Sequence, residues 1–410
     1  MWAIIITFIL LIYNILAYYS ESTKNPEKIF GVYSRPGKWY CIKYIIFYTL
    51  LEVRRFKITF LEGWRNEAKN NDSAAELPIA IQKLEALQTL SNHKKAFDAV
   101  FFQAVNIDGY YVCGGTERRH EAVTFGLFYI GVPGLGLLAS ESLPSTKLKT
   151  DSVSLHLQDS FSAGGICFAP LKPMEAWKVS FSGKMKLEGK PKETFDVKLE
   201  ATWTSDYPYF LYERHMNNKP IAQATAREEW SREYFKAMKE THQTHYEQMG
   251  NLKGTLTINN EKHSLNMWAF RDHSFGYKRD WSLIHRYAFH MAYLNDGTRI
   301  TIGVISHPST MSHFEVGYVV HRNKMIDTIE SCDLQLYQHG ENGTPGKTIA
   351  FTFIAGKKMY VVKAIVEYEA VHYKGHDNEA KLIERFLKYD VNGVQGRGIA
   401  EWHYNVGKKQ

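Results

Sequence analysis

Trp268-Ala269-Phe270-Arg271-Asp272-His273-Ser274-Phe275-Gly276-Tyr277-Lys278-Arg279-Asp280-Trp281 is the densest run of functional groups in the chain. Arg271, Asp272 and His273 supply a base, an acid and an imidazole, with Trp268, Phe270, Phe275 and Trp281 around them. Strand-like segments flank the run, at 254–258 and 287–305. Polar groups held on strand ends inside an aromatic shell can form a site for a mostly apolar ligand. The same arrangement can also tie a corner of a large β-protein. Arg271 and Asp272 are adjacent, so on a strand they face opposite sides and pair with groups on other strands.

Working outward, the segments on both sides read as β-structure. Short apolar or alternating runs are separated by Gly, Pro, Asn and Asp at 99–105, 110–113, 123–129, 153–157, 177–187 and 195–203. They resume at 254–258, 263–268, 287–294, 299–305, 314–320, 334–337, 347–353, 359–366 and 384–391. Asn295-Asp296-Gly297 has favoured hairpin chemistry. Gly131-Val132-Pro133-Gly134-Leu135-Gly136 lacks the ending of a phosphate loop and reads as a turn between strands. Between the two β regions, 223–248 has helical spacing at Trp230, Tyr234, Met238, Thr241 and His245 and reads as one amphipathic linker helix. Each β region offers roughly eight strands, enough for a barrel around one small ligand.

The N-terminal part differs. Trp2 to Tyr19 is almost wholly apolar, broken only by Thr7 and Asn14. About twenty such residues can span a bilayer, and the absence of a basic start favours an uncleaved anchor over a cleaved signal. Lys24, Lys28, Arg35 and Lys38 follow it, so the positive-inside rule puts the body in the cytoplasm. The expectation is a single-pass protein of the endoplasmic reticulum. A second apolar run at 39–53 reads as a helix on the membrane or covering the body, and 74–96 as a helix capped by Ser73. The expected division is an anchor at 1–20, a membrane-proximal helical region at 21–96, β domains at 97–222 and 251–410, and the linker helix at 223–250.

Bulk properties narrow the function. The 410 residues carry a net charge of +7, with 44% hydrophobic and 14% aromatic residues, ordinary for a folded, strand-rich protein. No zinc-finger spacing, RNA-binding signature or long basic run points to nucleic acid. Cys41, Cys113, Cys167 and Cys332 lie far apart and read as free thiols. His285 and His290 are five apart on one strand and face opposite sides; with His307 and His313 they give no metal-ligand pattern, and no metal is expected. Glu117-Arg118-Arg119-His120-Glu121 reads as a solvated charge run. Sequons at Asn71 and Asn342 count only if the body is lumenal.

Arg271 through Trp281 resembles the RDHSWG-x-R-x-W signature of the hydroxyneurosporene synthase-like (carotenoid 1,2-hydratase-like, AttH-like) superfamily. His245-Tyr246-Glu247-Gln248, Pro170-Leu171-Lys172-Pro173-Met174-Glu175-Ala176-Trp177 and Gly396-Arg397-Gly398-Ile399-Ala400-Glu401-Trp402 are similar to its other segments. Phe275 replaces the usual Trp, and Ala169 stands where the family has Glu. The resemblance implies two lipocalin-like antiparallel β-barrels. It implies hydration, isomerisation or cyclisation of isoprenoid or polyketide substrates, with no redox cofactor. Hydrating an alkene needs a proton donor and a shielded cation, and a carboxylic acid in an apolar pocket can donate. The expected catalytic residues are Asp272 as acid and His273 as relay. Trp268, Phe270, Trp281 and Tyr287 are the ligand shell, and Arg271, Gly276, Arg279 and Glu401 the structural motif. The function expected is therefore a membrane-anchored body that binds a lipid-like small molecule, an isoprenoid among the candidates, as an enzyme; the alternative is a non-catalytic lipid-binding or transfer module, or a membrane scaffold. Enzyme and binder separate on whether Asp272 and His273 line a cavity.

Overall fold

The computed structural model describes residues 2–20, 25–69, 76–149, 160–375 and 377–407. The expected strand at 153–157, the Ser73 cap and the Asn71 sequon lie outside them. Three helices come first, α1 (Trp2–Ser20), α2 (Tyr40–Lys69) and α3 (Glu76–Glu85). Among the described residues no helix is long and apolar enough to cross a membrane. The 19 residues of α1 include the polar Thr7 and Asn14. In α2 the charges of Lys43, Glu52, Arg54, Arg55 and Lys57 interrupt every apolar stretch. This overturns the transmembrane anchor. With it go the membrane-anchored function, the membrane as a partner and the single-pass endoplasmic-reticulum placement.

Alternating and wholly apolar runs from Phe97 onward form the β body. Its first sheet has twelve strands: β1 (Phe97–Val105), β2 (Tyr111–Arg118), β3 (Val123–Val132), β4 (Gly136–Ser140), β5 (Ser145–Lys149), β6 (Phe161–Ala163), β7 (Ile166–Lys172), β8 (Ala176–Leu187), β9 (Lys190–Thr204), β10 (Tyr209–Leu211), β11 (Gln243–Ile258) and β12 (Glu261–Gly276). The main order is β10-β11-β12-β1-β2-β3-β4-β8-β7-β6, with β5 paired to β3 and β9 bridging β8 and β11. A closed barrel follows, from β13 (Arg286–Leu294), β14 (Arg299–His307), β15 (Met311–Val320), β16 (Ile326–Cys332), β17 (Thr348–Ala355), β18 (Lys358–Lys374), β19 (Ala380–Val391) and β20 (Val394–Asn405).

Two like barrels joined by one helix is therefore not the architecture. The first unit is a larger, branched sheet. The linker is three short helices, α4 (Tyr212–His215), α5 (Asn218–Arg227) and α6 (Arg232–Glu240). Ser231 caps α6 by accepting from the Tyr234 amide, which marks a fresh helix start. The chain then turns extended at Gln243, and β11 and β12 pair with each other and into the first sheet. The quoted stretch through Gly276 thus belongs to the first unit, while Trp281 beyond it packs against Ala380 and Leu382 of the barrel. Residues 334–337, expected as a strand, enter a short 3-10 turn at Leu336–Gln338.

Among the described residues three large apolar clusters result, with a small fourth of Trp281, Ala380 and Leu382. The inside of the first unit packs Phe102, Phe168, Trp177 and Trp203 among others. The inside of the barrel packs Trp402, Phe351, Ile302 and Tyr389, with Tyr33 from the N-terminal segment closing one end. A third cluster joins the outer faces of both units through Tyr111, Tyr129, Phe210, Phe270, Tyr318 and Phe386.

Candidate functional site

Alternation along β12 sorts the quoted residues onto two faces. Ala269, Arg271 and His273 point inward. Arg271 is fully buried, 2.7 Å from Glu85, with its guanidinium 4.8 Å over Trp203 and 5.2 Å over Trp177. Burial alone would raise the Glu85 carboxyl. Arg271, with bonds from Tyr246, the Met174 amide and Trp177, outweighs it and holds the carboxyl below its usual range. His273 is completely buried, 2.7 Å from Asp98 Oδ1 and 3.1 Å from the Tyr246 hydroxyl. Both residues fix the inside of the first unit.

Trp268, Phe270 and Asp272 point the other way, toward the barrel. Between the units lies a cavity of about 290 Å³. Its first wall comes from β1, β2, β3, β11 and β12, with Phe101, Phe125, Leu127, His245, Phe270 and Asp272. Its second wall comes from the barrel, with Tyr287, Phe289, Met291, Ile305, Lys374 and Glu401. The segment from Lys278 to Ile284 closes one side with Arg279 and Trp281. Trp268 does not reach the cavity; it packs in the inter-unit cluster beneath Arg299, 5.8 Å away.

Asp272 is the chemically distinctive group. Burial raises its carboxyl to about 7; Arg279 opposes the shift, Glu401 across the cavity adds to it, and Lys374 opposes it. His245 Nε2 lies 3.8 Å from Asp272 Oδ2. His245 stacks on Tyr212 at 4.7 Å, and burial lowers its imidazole to about 3, so it is neutral. Its Nε2 is also 3.4 Å from Glu247, fully buried and pushed well up by burial and by the Asp272 charge. The Tyr212 hydroxyl donates to Glu247 at 2.8 Å.

The other cations are already engaged. Arg279 donates to Glu117 at 3.0 Å, Gln243 at 2.8 Å and Ser274 at 3.0 Å, and lies 3.8 Å over Phe97. Burial would raise Glu117, but Arg119 and Arg279 hold it at about 2. The expected solvated run at 117–121 therefore begins with a buried ion pair. Gly276 ends β12 between Phe97 and Gln243, and a Cβ there would meet Gln243 at 3.2 Å, so its role is backbone packing. On the barrel wall, Glu401 accepts from the Tyr287 hydroxyl and lies 3.7 Å from Lys374 Nζ; it touches neither Arg271 nor Arg279.

Of the expected site residues, the cavity gathers Asp272, Phe270, Trp281, Tyr287, Arg279 and Glu401. His273, Arg271, Gly276 and Trp268 lie outside it. His245, Glu247, Tyr212 and Lys374 were not singled out as site residues. For the first two the two-residue step Gln243, His245, Glu247 is a strand signal, masked by reading 223–248 as helix. Tyr212 and Lys374 arrive only through tertiary packing. His285 bonds Glu341 at 2.6 Å and His290 bonds Tyr389 at 2.8 Å, on different partners. Among the described residues no group of three or more His, Cys, Asp or Glu side chains could hold a metal ion.

The fold has solved relatives. A protein described as AttH, from Nitrosomonas europaea, is 11% identical and superposes with a TM-score of 0.50 over 77% of this chain and 96% of its own. Kievitone hydratase from Nectria haematococca is 11% identical, with a TM-score of 0.45 over 78% of this chain and 96% of its own. CghA with Sch210972 is 10% identical, with a TM-score of 0.45 over 77% of this chain and 90% of its own. The first likeness shows a shared fold over the β body and identifies no particular enzyme. No curated protein matches the sequence. A family model, described as a family of unknown function (DUF8627), matches residues 4–404, and the chain belongs to that family.

Proposed function

We propose that this protein catalyses acid/base chemistry on a compact, mostly apolar small molecule held between its two β units, with Asp272 as the proton donor. The observation that supports this reading most is the placement of Asp272. Its carboxyl faces an aromatic and aliphatic cavity, with a neutral imidazole as neighbour, and is half protonated near pH 7. A neutral carboxylic acid in such surroundings can protonate an alkene or enol, and ring faces such as Phe270 and Trp281 shield the resulting cation. The resemblance in sequence points to the same reaction types. The volume sits at the small end of ligand sites, which run roughly 300–1,000 Å³, and favours a compact substrate over a long isoprenoid chain.

The test is mass spectrometry of small molecules that co-purify with the protein, followed by incubation of the recovered compound in deuterated water. Wild type is expected to place deuterium on carbon and Asp272→Asn to place none. A folded D272N protein that labels the compound at the wild-type rate removes Asp272 from the chemistry.

A further inference from the structure

We propose that Glu401 is a second catalytic group of this cavity, a general base facing the acid Asp272 from the opposite wall. The proposal rests on the reading of the cavity as a site of acid/base chemistry. Glu401 stands on β20, in register with Phe289 of β13 and Glu384 of β19, so its side chain leaves the barrel toward the first unit. It lines the cavity that Asp272 lines from β12. Three groups hold it. The Tyr287 hydroxyl donates to one oxygen. Lys374 Nζ lies 3.7 Å from the other and rests 5.3 Å over the Trp281 ring. Glu384 stands beside it as its cross-strand partner, completely buried and pushed well up by burial and then by Glu401, so it is a neutral acid.

The phenol and the ammonium orient the Glu401 carboxyl in the cavity wall. One cavity thus holds two carboxyl groups on facing walls, between which acid and base roles can be divided. In a hydration, Asp272 gives its proton to one alkene carbon. Water adds to the other carbon as Glu401 takes one of its protons. One C–H and one C–O bond form, the π bond and one O–H bond of water break, and the two carboxyl groups exchange protonation states. Dehydration runs the same steps backward. Lys374 and Tyr287 position the base.

A base in an apolar cavity is detected with nitrobenzisoxazole, a compact aromatic probe. A carboxylate removes its C–H proton, the N–O bond breaks, a nitrile forms and a coloured phenolate leaves. Wild type is expected to accelerate this elimination. Glu401→Gln, nearly the same shape, should lower the rate by roughly a hundredfold toward buffer background. Tyr287→Phe, which removes the hydroxyl that aims Glu401, should lower it several-fold with the fold intact. An E401Q or Y287F protein as fast as wild type overturns the proposal, and so does a wild type no faster than buffer. Loss in D272N but not in E401Q overturns it while leaving the Asp272 reading standing, since that reading is tested by deuterium on carbon.

Discussion

Arg271, Asp272 and His273 are consecutive, and their environments have little in common. Arg271 is a buried tie. Removing it strands the Glu85 carboxylate among Trp177, Tyr246 and Met174, so Arg271→Ala should cost about 3–5 kcal/mol in a denaturant titration. Asp272→Asn should do the reverse. The folded carboxyl, at about 7, binds its proton more tightly than in the unfolded chain. Stability is therefore lost as pH rises from about 4 to 7, on the order of 4 kcal/mol. The Asn variant escapes that loss, so its advantage in melting temperature over wild type should be absent at pH 4 and full above pH 7. Alternation on a strand was readable from the sequence and separates Arg271 from Asp272. Which face meets a cavity was not, because that depends on where the barrel docks. His273 was misplaced for the same reason: its neighbours Asp98 and Tyr246 lie 175 and 27 residues away in the chain.

At the scale of elements, strands were legible where alternation met clear turn residues, as on both sides of Asn295-Asp296-Gly297. The one long linker helix failed because bulky residues at three- and four-residue steps continued by chance from α6 into β11. The capping Ser231 and the extended step through Gln243, His245 and Glu247 carry the correct breaks. Assigning β11 and β12 to the first unit needed pairing information that no local pattern holds. Gly254 shows how tightly that pairing is made. A Cβ at Gly254 would lie 2.2 Å from the Glu200 carbonyl oxygen and 2.5 Å from Ala201 Cα on β9. Gly254→Ala should therefore force β9 and β11 apart and cost about 1–3 kcal/mol. Hydrogen exchange should show lost protection on β9 and β11, with β13 to β20 unaffected.

Over the whole molecule, the two units are bound through an apolar cluster with the cavity beside it. Phe386 is completely buried there, with ring centroids 5.4 Å from Tyr111 and 6.5 Å from Tyr129 of the other unit. A carboxylate at that position would be desolvated among these rings. Phe386→Asp should separate the units' unfolding, turning one calorimetric transition into two, and should abolish elimination of the benzisoxazole probe. Retention of both properties would mean the cavity does not depend on the docked units. Composition and patterning showed a β-rich body. The membrane anchor inferred from an apolar N-terminus did not survive, since among the described residues no helix is long and apolar enough to cross a membrane.

The central claim is a neutral carboxylic acid at Asp272 inside the inter-unit cavity. Infrared titration of the full chain, as the difference between wild type and D272N, measures it directly. The expected result is a carboxylic C=O band, absent from the variant, that disappears with a midpoint near pH 7. A difference spectrum with no such band at pH 5 would show Asp272 already ionised and would contradict the account.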